Sequence, residues 1–368
     1  MLKAVQNIED LIGGTPLVRL KKIGKNIQPG WWAKKASYDW QSYDLKSELY
    51  AKIEFMNPGG SVKDRIARSI LDGLEKKGLL KAGGMVVEAS SGNTGAGLAL
   101  CCAVRGYACT IVIPDKMSAE KINALRAYGA KVIISPSTVE PDHPDYYCNV
   151  AKKIAEENEG ACLADQYFNQ DNILAHYQTT GPEIWEQMEG KVDAFVAGIG
   201  TGGTLTGTGR FLKEKNPNIK IVAVDPLGSI YNGLIKEGKE SEKGRYLTEG
   251  VGEDMIPDTM DLKLPEECVV VNDQESFQCT LQLAQREAVF VGGSCGFAAF
   301  GALQYLANYE RQGGKPLRAV VLLPDSGSRY LSKVFNPEWL QANDISTAGC
   351  SVGSVQYLNG TNKIDGVQ

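Results

Sequence analysis

The chain has 368 residues, a length that allows a large buried core and suggests two domains more readily than one. Its hydrophobic content of 43% and charged content of 23% are typical of a soluble globular protein. The net charge of −5 and the lack of a basic stripe exclude nucleic acid as an expected partner.

Apolar runs bounded by glycine and proline alternate with amphipathic segments along most of the chain. The runs that predict strands are residues 85–88, 109–113, 131–134, 194–197, 221–224 and 319–323. The segments that predict helices are residues 67–77, 94–104, 118–128, 206–215 and 276–287. This alternation predicts an α/β fold with parallel sheets covered by helices, in which ligands bind beyond the carboxyl ends of the strands.

The first motif is the sequence NPGGSVKDR at residues 57–65, which brings Lys63 from a glycine-rich turn to the start of a helix. The positive end of a helix disfavours the ammonium form of a lysine and so favours a nucleophilic amine. Schiff-base chemistry needs such an amine. Taken alone, the motif also fits a solvated lysine in a loop.

The second motif is EASSGNTG at residues 88–95, where a strand ends and a helix begins. The hydroxyls of Ser90, Ser91 and Thr94, with the amides of the turn, form a cradle suited to a carboxylate. Asn93 offers a further side-chain donor. A simple helix N-cap is the alternative interpretation.

The third motif is GIGTGGT at residues 198–204, directly after a predicted strand. Successive glycines allow backbone amides to close on a phosphate, and Thr201 and Thr204 add hydroxyl donors. The same glycines also match GxGxxG, with Asp225 ending the next strand about twenty residues later, as in dinucleotide-binding enzymes. Both a phosphate loop and a nicotinamide site are therefore open at this point.

The fourth motif, PDSG at residues 324–327, ends the last predicted strand at a turn. A hydroxyl at Ser326 is placed to meet a ring nitrogen of a cofactor. The alternative is an ordinary turn, for which these residue types are typical.

Cysteine and histidine give no sign of a metal site. The nine cysteines are scattered without ligand spacing, so we expect no metal and a reduced, cytoplasmic chain. His143 and His176 lack the partners of a catalytic triad and are interpreted as structural or solvated. The N-terminus lacks the apolar run of a signal peptide, and residues 95–114 are too interrupted for a membrane span.

In this order and spacing, the motifs resemble the cystathionine β-synthase and cysteine synthase family, which are pyridoxal-phosphate enzymes of fold type II. The sequences GGTPLVR at residues 13–19 and KMS at residues 116–118 add to the resemblance, which runs from about residue 8 to residue 340. It implies that the glycine loop binds the phosphate of pyridoxal 5'-phosphate and that the protein is a homodimer.

The resemblance also implies a division into two domains, each a mostly parallel sheet flanked by helices. Residues 56–164 would form a smaller, mobile domain that carries the substrate-carboxylate loop. Residues 1–55 and 165–345 would form the larger, cofactor-binding domain, and residues 346–368 a disordered tail. By the resemblance, the aromatic segment 26–49 is longer than the family's usual connection, and we expect the chain to be a catalytic core without a haem-binding extension or regulatory domains.

The family's roles are carried over to matching positions only. Lys63 would hold the cofactor through a Schiff base and move the α-proton of the substrate. The other residues implied to bind the cofactor are Asn93, Gly200, Thr201, Gly202, Gly203, Thr204 and Ser326. The residues implied to bind substrate are Ser90, Ser91, Thr94, Gln166, Gly250 and Glu253.

The implied reaction is replacement of the β-substituent of serine, or of an activated serine, by a sulfur nucleophile through an aminoacrylate. Residues 165–167, 116–121 and 249–254 favour the cystathionine β-synthase branch, with serine and homocysteine as substrates. Residues 324–330 look more like cysteine synthase, so O-acetylserine or O-phosphoserine with sulfide is an alternative, as is cysteate formation with sulfite. A non-catalytic relative and a nicotinamide enzyme are more distant alternatives.

Two residues bear on the chemistry. A neutral hydroxyl at Ser326 would not keep a proton on the ring nitrogen, which favours β-elimination, although an inward-turned Asp325 would weaken this argument. Glu253 stands where relatives often have an aromatic residue. A carboxylate there would attract the ammonium group of an amino-acid thiol and repel an anion, so we expect homocysteine to be preferred over sulfide or sulfite.

Overall fold

The computed structural model describes residues 4–25, 43–90, 92–115, 117, 119–140, 142–347, 350 and 352–353. The strands are β1 Leu17–Leu20, β2 Glu48–Ile53, β3 Met85–Ala89, β4 Ala108–Pro114, β5 Lys131–Ser135, β6 Ala161–Leu163, β7 Ala194–Gly198, β8 Lys220–Pro226, β9 Glu267–Val271 and β10 Arg318–Leu323. The α-helices are α1 Lys63–Lys76, α2 Asn93–Arg105, α3 Ala119–Ala127, α4 Tyr147–Glu157, α5 Asp171–Ala175, α6 Gly181–Gln187, α7 Gly203–Lys215, α8 Tyr231–Glu237, α9 Asp273–Glu287, α10 Gly293–Arg311 and α11 Pro337–Ala342.

The larger sheet has the strand order β1-β2-β10-β7-β8-β9. All of its pairs are parallel except β1, which runs antiparallel to β2. The central strands are apolar on both faces because helices cover both sides, as parallel sheets require. Helix α10 is buried over most of its 19 residues and packs on this sheet, so it fixes the position of any side chain at its first turn.

The smaller sheet has the order β5-β4-β3-β6, and all of its pairs are parallel. Helices α1 and α2 share one apolar core with it, and α4 packs in a second cluster against β3 and β4. The two sheets therefore have separate cores.

The predicted α/β fold with two mostly parallel sheets is confirmed, and each predicted strand and helix overlaps an observed one. Strands β1, β2, β6 and β9 and helices α4, α5, α6, α8, α10 and α11 were not predicted. The strands of the smaller sheet fall within the predicted domain 56–164. The boundaries of that domain and its mobility stay predictions.

Two predicted segments lie partly outside the described residues. Most of the aromatic segment, residues 26–42, is outside, as are residues 348–349, 351 and 354–368 of the predicted tail. Within the described part of that tail, the carbonyl of Ser346 accepts hydrogen bonds from Gln274 and Gln278, and Cys350 is buried. Of the described helices, none is long and apolar enough to cross a membrane.

Candidate active site

Lys63 is the first residue of α1, and the chain before it runs beside the turn that follows β10. This proximity arises because β2 pairs in parallel with β10, with Ile53 opposite Leu323. The backbone N–H of Val62 then donates to the carbonyl of Pro324 at 2.8 Å. The sheet thus brings together two motifs that lie far apart in the sequence.

The two residues after Lys63 hold its loop in place. The buried Asp64 carboxylate accepts a hydrogen bond from the Gly59 N–H at 2.6 Å, and burial raises the pKa of Asp64 to about 7. Arg65 pairs with Glu54 at 2.7 Å and with Glu183 at 2.7 Å. Because the side chains of Asp64 and Arg65 are both held by these contacts, the backbone at the start of α1 is fixed, and it largely sets the direction of the Lys63 side chain.

Lys63 lines a cavity together with the glycine loop, Gly250 and Ser294. Burial lowers the pKa of Lys63, while the carboxylates of Asp325 and Glu253 partly oppose this shift. A lowered pKa makes the neutral, nucleophilic amine more available near neutral pH. The predicted catalytic lysine is therefore in a suitable environment for Schiff-base chemistry.

The glycine loop, residues 198–204, connects β7 to α7 and lines the same cavity. Gly202 has a φ of +83°, and a Cβ atom on Gly200 would lie 2.7 Å from the carbonyl oxygen of Gly250. The N–H groups at the start of a helix have no intrahelical partners and carry the positive end of the helix dipole. The loop is thus a cradle for a phosphate.

The nicotinamide alternative required Asp225 to face a ligand. Instead Asp225 is fully buried and accepts a hydrogen bond from the N–H of Asn232 at 2.8 Å. This geometry favours the phosphate-loop interpretation.

His176 contacts the glycine loop through the hydroxyl of Thr204. The sequence did not predict this particular contact. His176 lies in a π-helical turn, His176–Thr180, and is completely buried. One ring nitrogen lies 2.9 Å from the hydroxyl of Thr180, and the other lies 3.1 Å from the hydroxyl of Thr204. Burial lowers the pKa of His176 to about 3, with a further contribution from Arg65, so the imidazole is neutral.

The residues predicted to bind the substrate carboxylate form a hydrogen-bonded group at the start of α2. The Ser90 hydroxyl oxygen accepts from the N–H groups of Gly92 and Gly95, so Ser90 also caps this helix. The Thr94 hydroxyl donates to Gln166 at 2.6 Å, and Gln166 donates to Glu88 at 3.1 Å. Ser91 lies outside the described residues.

Asn93 and Asp325 are joined in this structure. The Asn93 amide donates to the Asp325 carboxylate at 2.7 Å and accepts from Arg329 at 3.0 Å. Tyr330 also donates to Asp325 at 2.7 Å, and Asp325 is completely buried. Asp325 is therefore turned inward, the arrangement that weakens the sequence-based argument about Ser326.

The predicted ring-nitrogen residue, Ser326, is turned toward its own 3-10 turn. Its hydroxyl lies 3.0 Å from that of Ser328 and accepts from the Ser328 N–H. Among the described residues, the serine that lines the Lys63 cavity is Ser294, which is 4% exposed and is the second residue of α10. Sequence analysis missed Ser294 because α10 itself was not predicted.

Gly250 lines the Lys63 cavity, and the residue before it is tied to two lysines. Glu249 pairs with Lys121 and with Lys333, so it joins α3 to the segment after the 3-10 turn Gly327–Tyr330. Burial raises the pKa of Glu249, but the two lysines outweigh this effect and lower it overall. These pairs fix the loop that reaches the cavity.

Glu253 lies on the same loop but lines a second cavity, of about 490 Å³. Burial, with a contribution from Asp254, raises the pKa of Glu253 to about 8, although Tyr167 and Lys63 act in the opposite direction. Its backbone is held by the Ser229 hydroxyl, at 3.1 Å from the Glu253 N–H. The structure therefore brings Glu253 close enough to Lys63 for their charges to interact.

The cavity around Lys63 fits pyridoxal phosphate by the chemistry of its donors. It combines a lysine amine of lowered pKa, a glycine loop at a helix N-terminus and a hydroxyl at Ser294. Lys63 would carry the cofactor, and the loop from Gly200 to Thr204 would hold its phosphate. Asn93 is linked to this site because it donates a hydrogen bond to Asp325, whose charge acts on Lys63.

Comparison with known proteins agrees with this chemistry. The model of the family described as "pyridoxal-phosphate dependent enzyme" matches residues 8–325. Cystathionine β-synthase from Apis mellifera is 43% identical over 95% of this chain and 65% of its own length. The chain thus spans less than two thirds of that relative.

Two further proteins match this chain over nearly the whole of their own length. Cysteine synthase from Staphylococcus aureus is 37% identical over 90% of this chain and 96% of its own. The crystal structure of a hydrogen sulfide-producing enzyme from Fusobacterium nucleatum has a TM-score of 0.76 and 34% identity, over 89% of this chain and 99% of its own. The predicted family resemblance is confirmed.

Proposed function

Because this chain belongs to the family of pyridoxal-phosphate-dependent enzymes, we propose that it replaces the β-substituent of serine, or of an activated serine, with a sulfur nucleophile. The observation that carries the proposal is the cavity shared by Lys63 and the glycine loop. The preferred pair is serine with homocysteine, supported by the 43% identity to a cystathionine β-synthase.

Pyridoxal phosphate, when bound, withdraws electrons from the α-carbon of an amino acid. Lys63 takes the proton from that carbon, since its lowered pKa leaves the amine free to act as a base. Thr94 and Gln166, with Ser90 and Ser91, hold the substrate carboxylate and orient the Cα–H bond. Ser294 takes the role first assigned to Ser326, since Ser294 is the serine that lines the cavity.

A second candidate function is cysteine synthesis from O-acetylserine or O-phosphoserine and sulfide. It is favoured by the match to a cysteine synthase over 96% of that protein's length. Both reactions share the same first half and differ in leaving group and nucleophile.

The setting of the enzyme is also part of the proposal. All nine cysteines are free, which supports a reducing compartment such as the cytoplasm. A homodimer is proposed from the family resemblance alone.

The test is a panel of donors and acceptors read by mass spectrometry. Serine, O-acetylserine and O-phosphoserine are each combined with homocysteine, sulfide and sulfite. Cystathionine from serine and homocysteine should be the fastest product. Faster cysteine formation from O-acetylserine and sulfide would replace the first candidate with the second, and no sulfur product from any pair would refute both.

Borohydride reduction followed by peptide mapping identifies the lysine. The cofactor should be fixed to Lys63 and lost from Lys63→Ala, while the exposed Lys77, which pairs with Asp171, provides the matched control Lys77→Ala. Cofactor on any other lysine would refute the assignment.

A further inference from the structure

The second cavity lies beside Lys63 and is acidic. With a volume of about 490 Å³, it is enclosed by the end of β3, the start of α4 and the segments after β6 and after Gly252. Its carboxylates are Glu88, Asp165, Glu253 and Asp254, and Lys243 is the basic residue in its lining. Burial raises the pKa of Glu88 and of Glu253 to about 8, so an ammonium group would stabilise their ionised forms, whereas an anion would oppose ionisation. The lining therefore favours a cationic ligand over an anion.

We propose that this acidic cavity is the subsite for the second substrate and that it takes the ammonium group of an amino-acid thiol. The inference rests on the proposed β-replacement function and specifies its acceptor. The donor amino acid is held at Thr94 and Gln166. The ammonium group that would bind the acidic side chains therefore belongs to the acceptor.

The position of the cavity suits an acceptor. Gly250 and Val251 line the Lys63 cavity, and Glu253, only two residues further along the same loop, lines the acidic one. Glu253 and Lys63 are close enough for their charges to interact. A ligand with its ammonium group at Glu253 would therefore lie beside the Lys63 cavity.

The size of the cavity fits an amino acid. An amino-acid thiol has about eight non-hydrogen atoms, and at the roughly 30 Å³ that a water occupies in the liquid these need at most about 240 Å³. The cavity of about 490 Å³ exceeds this requirement. Sulfide and sulfite are far smaller and would leave most of the cavity to water.

An unpaired buried oxygen points to a ligand. Glu88 is 2% exposed and lines the cavity, and its Oε2 atom has no hydrogen-bond partner among the described residues. Burial, with a contribution from Asp165, raises the pKa of Glu88 to about 8. A buried polar atom without a partner is costly, and an ammonium group would supply the missing donor.

The rim can hold the carboxylate of the same ligand. Lys243 is half exposed, donates to the carbonyl of Asp254 at 3.0 Å and pairs with the exposed Glu240 at 3.3 Å, so its ammonium group lies at the edge of the cavity. An acidic interior with a cation at the rim is complementary to a zwitterion. Sulfite and sulfide offer no positive charge to the interior.

The experiment compares homocysteine with 4-mercaptobutyrate, which has the same thiol and carboxylate but no amino group. The wild type should use homocysteine at least about tenfold more efficiently, measured as kcat/KM with serine as donor. In Glu253→Gln this preference should fall toward one. The matched control is Glu237→Gln, which removes one charge from an exposed residue at the end of α8.

Rates of each variant are divided by its rate of the donor half-reaction, measured without acceptor by stopped-flow absorbance. Calorimetry of homocysteine on borohydride-reduced enzyme, which cannot turn over, gives an independent dissociation constant. This constant should rise about tenfold in Glu253→Gln and stay unchanged in Glu237→Gln.

The outcomes separate this inference from the proposed function. If the wild type makes sulfur products but uses 4-mercaptobutyrate as well as homocysteine, or if Glu253→Gln keeps the wild-type preference, the subsite is refuted while β-replacement stands. If no acceptor reacts although the donor half-reaction occurs, the proposed function fails. Homocysteine binding to the reduced enzyme that weakens in Glu253→Gln would still support the subsite.

Discussion

The contact between His176 and Thr204 predicts that a residue outside the cavity sets the affinity for the cofactor. His176→Leu removes the hydrogen bonds to the buried Thr180 and the half-buried Thr204 and leaves both hydroxyls without this partner. Each loss costs about 1–3 kcal/mol. The loss at Thr180 lowers stability alone, whereas the loss at Thr204 also loosens the phosphate loop.

We expect the dissociation constant of pyridoxal phosphate to rise about 5- to 30-fold, equivalent to about 1–2 kcal/mol. Equilibrium dialysis measures the constant, and the ³¹P chemical shift of bound cofactor reports the environment of the phosphate. His176→Gln, which can keep hydrogen bonds, should recover part of the affinity. Because the pKa of His176 is held near 3, the effect should not vary between about pH 5 and pH 9.

Thr180→Val is the control, because it removes the contact away from the loop. It should lower the unfolding midpoint without changing the dissociation constant. In a Thr204→Val background, His176→Leu should have much less effect on cofactor affinity, as a double-mutant cycle requires of a direct interaction. Equal cofactor affinity and an unchanged ³¹P shift in His176→Leu would refute the reasoning.

Three further predictions follow from buried groups. Ser294→Ala should shift the absorbance band of bound cofactor, whereas Ser326→Ala should leave it unchanged; the reverse result would restore the original assignment. Glu88 has a pKa raised to about 8 in the folded state, so the folded form binds more protons and stability should fall as pH rises from about 4.5 to 8. Urea unfolding of Glu88→Gln should show a slope smaller by up to about 1.4 kcal/mol per pH unit, and an unchanged slope would contradict this. Arg65→Met leaves the fully buried Glu54 without its cation and should cost about 3–5 kcal/mol in the same assay, so a loss below about 1 kcal/mol would argue against that pair.

The predictable parts of the fold are segments whose apolar residues recur with a clear helical or strand period, or whose ends are marked by glycine. The central strands are short apolar runs between turns, and the motifs at their ends are placed by the rule for parallel sheets. Helix α10 was not predicted because 13 of its 19 residues are buried. It therefore lacks the polar face that gives an amphipathic helix its sequence pattern. Missing this helix also meant missing Ser294.

The turn after β10 directs the side chain of Asp325 inward and not that of Ser326, and this difference from the prediction has a local cause. Neighbouring residues at the end of a strand point to opposite sides, so an error of one position reverses which side chain faces inward. Here Asp325 faces inward and Ser326 is turned to its own 3-10 turn. The pair of Arg65 with Glu183 and the contact of His176 with Thr204 join residues 118 and 28 positions apart, and no local pattern predicts them.

The argument for β-elimination survives the change of residue. It required a neutral hydroxyl, rather than a carboxylate, where a cofactor ring nitrogen would lie. Asp325 is the carboxylate that could have overturned it, but Asn93 and Tyr330 both donate to that carboxylate. The residue that lines the cavity is instead Ser294, whose side chain carries a neutral hydroxyl. A neutral hydroxyl does not keep the ring nitrogen protonated as a carboxylate would, so charge on the α-carbon is less stabilised and departure of the β-substituent is favoured.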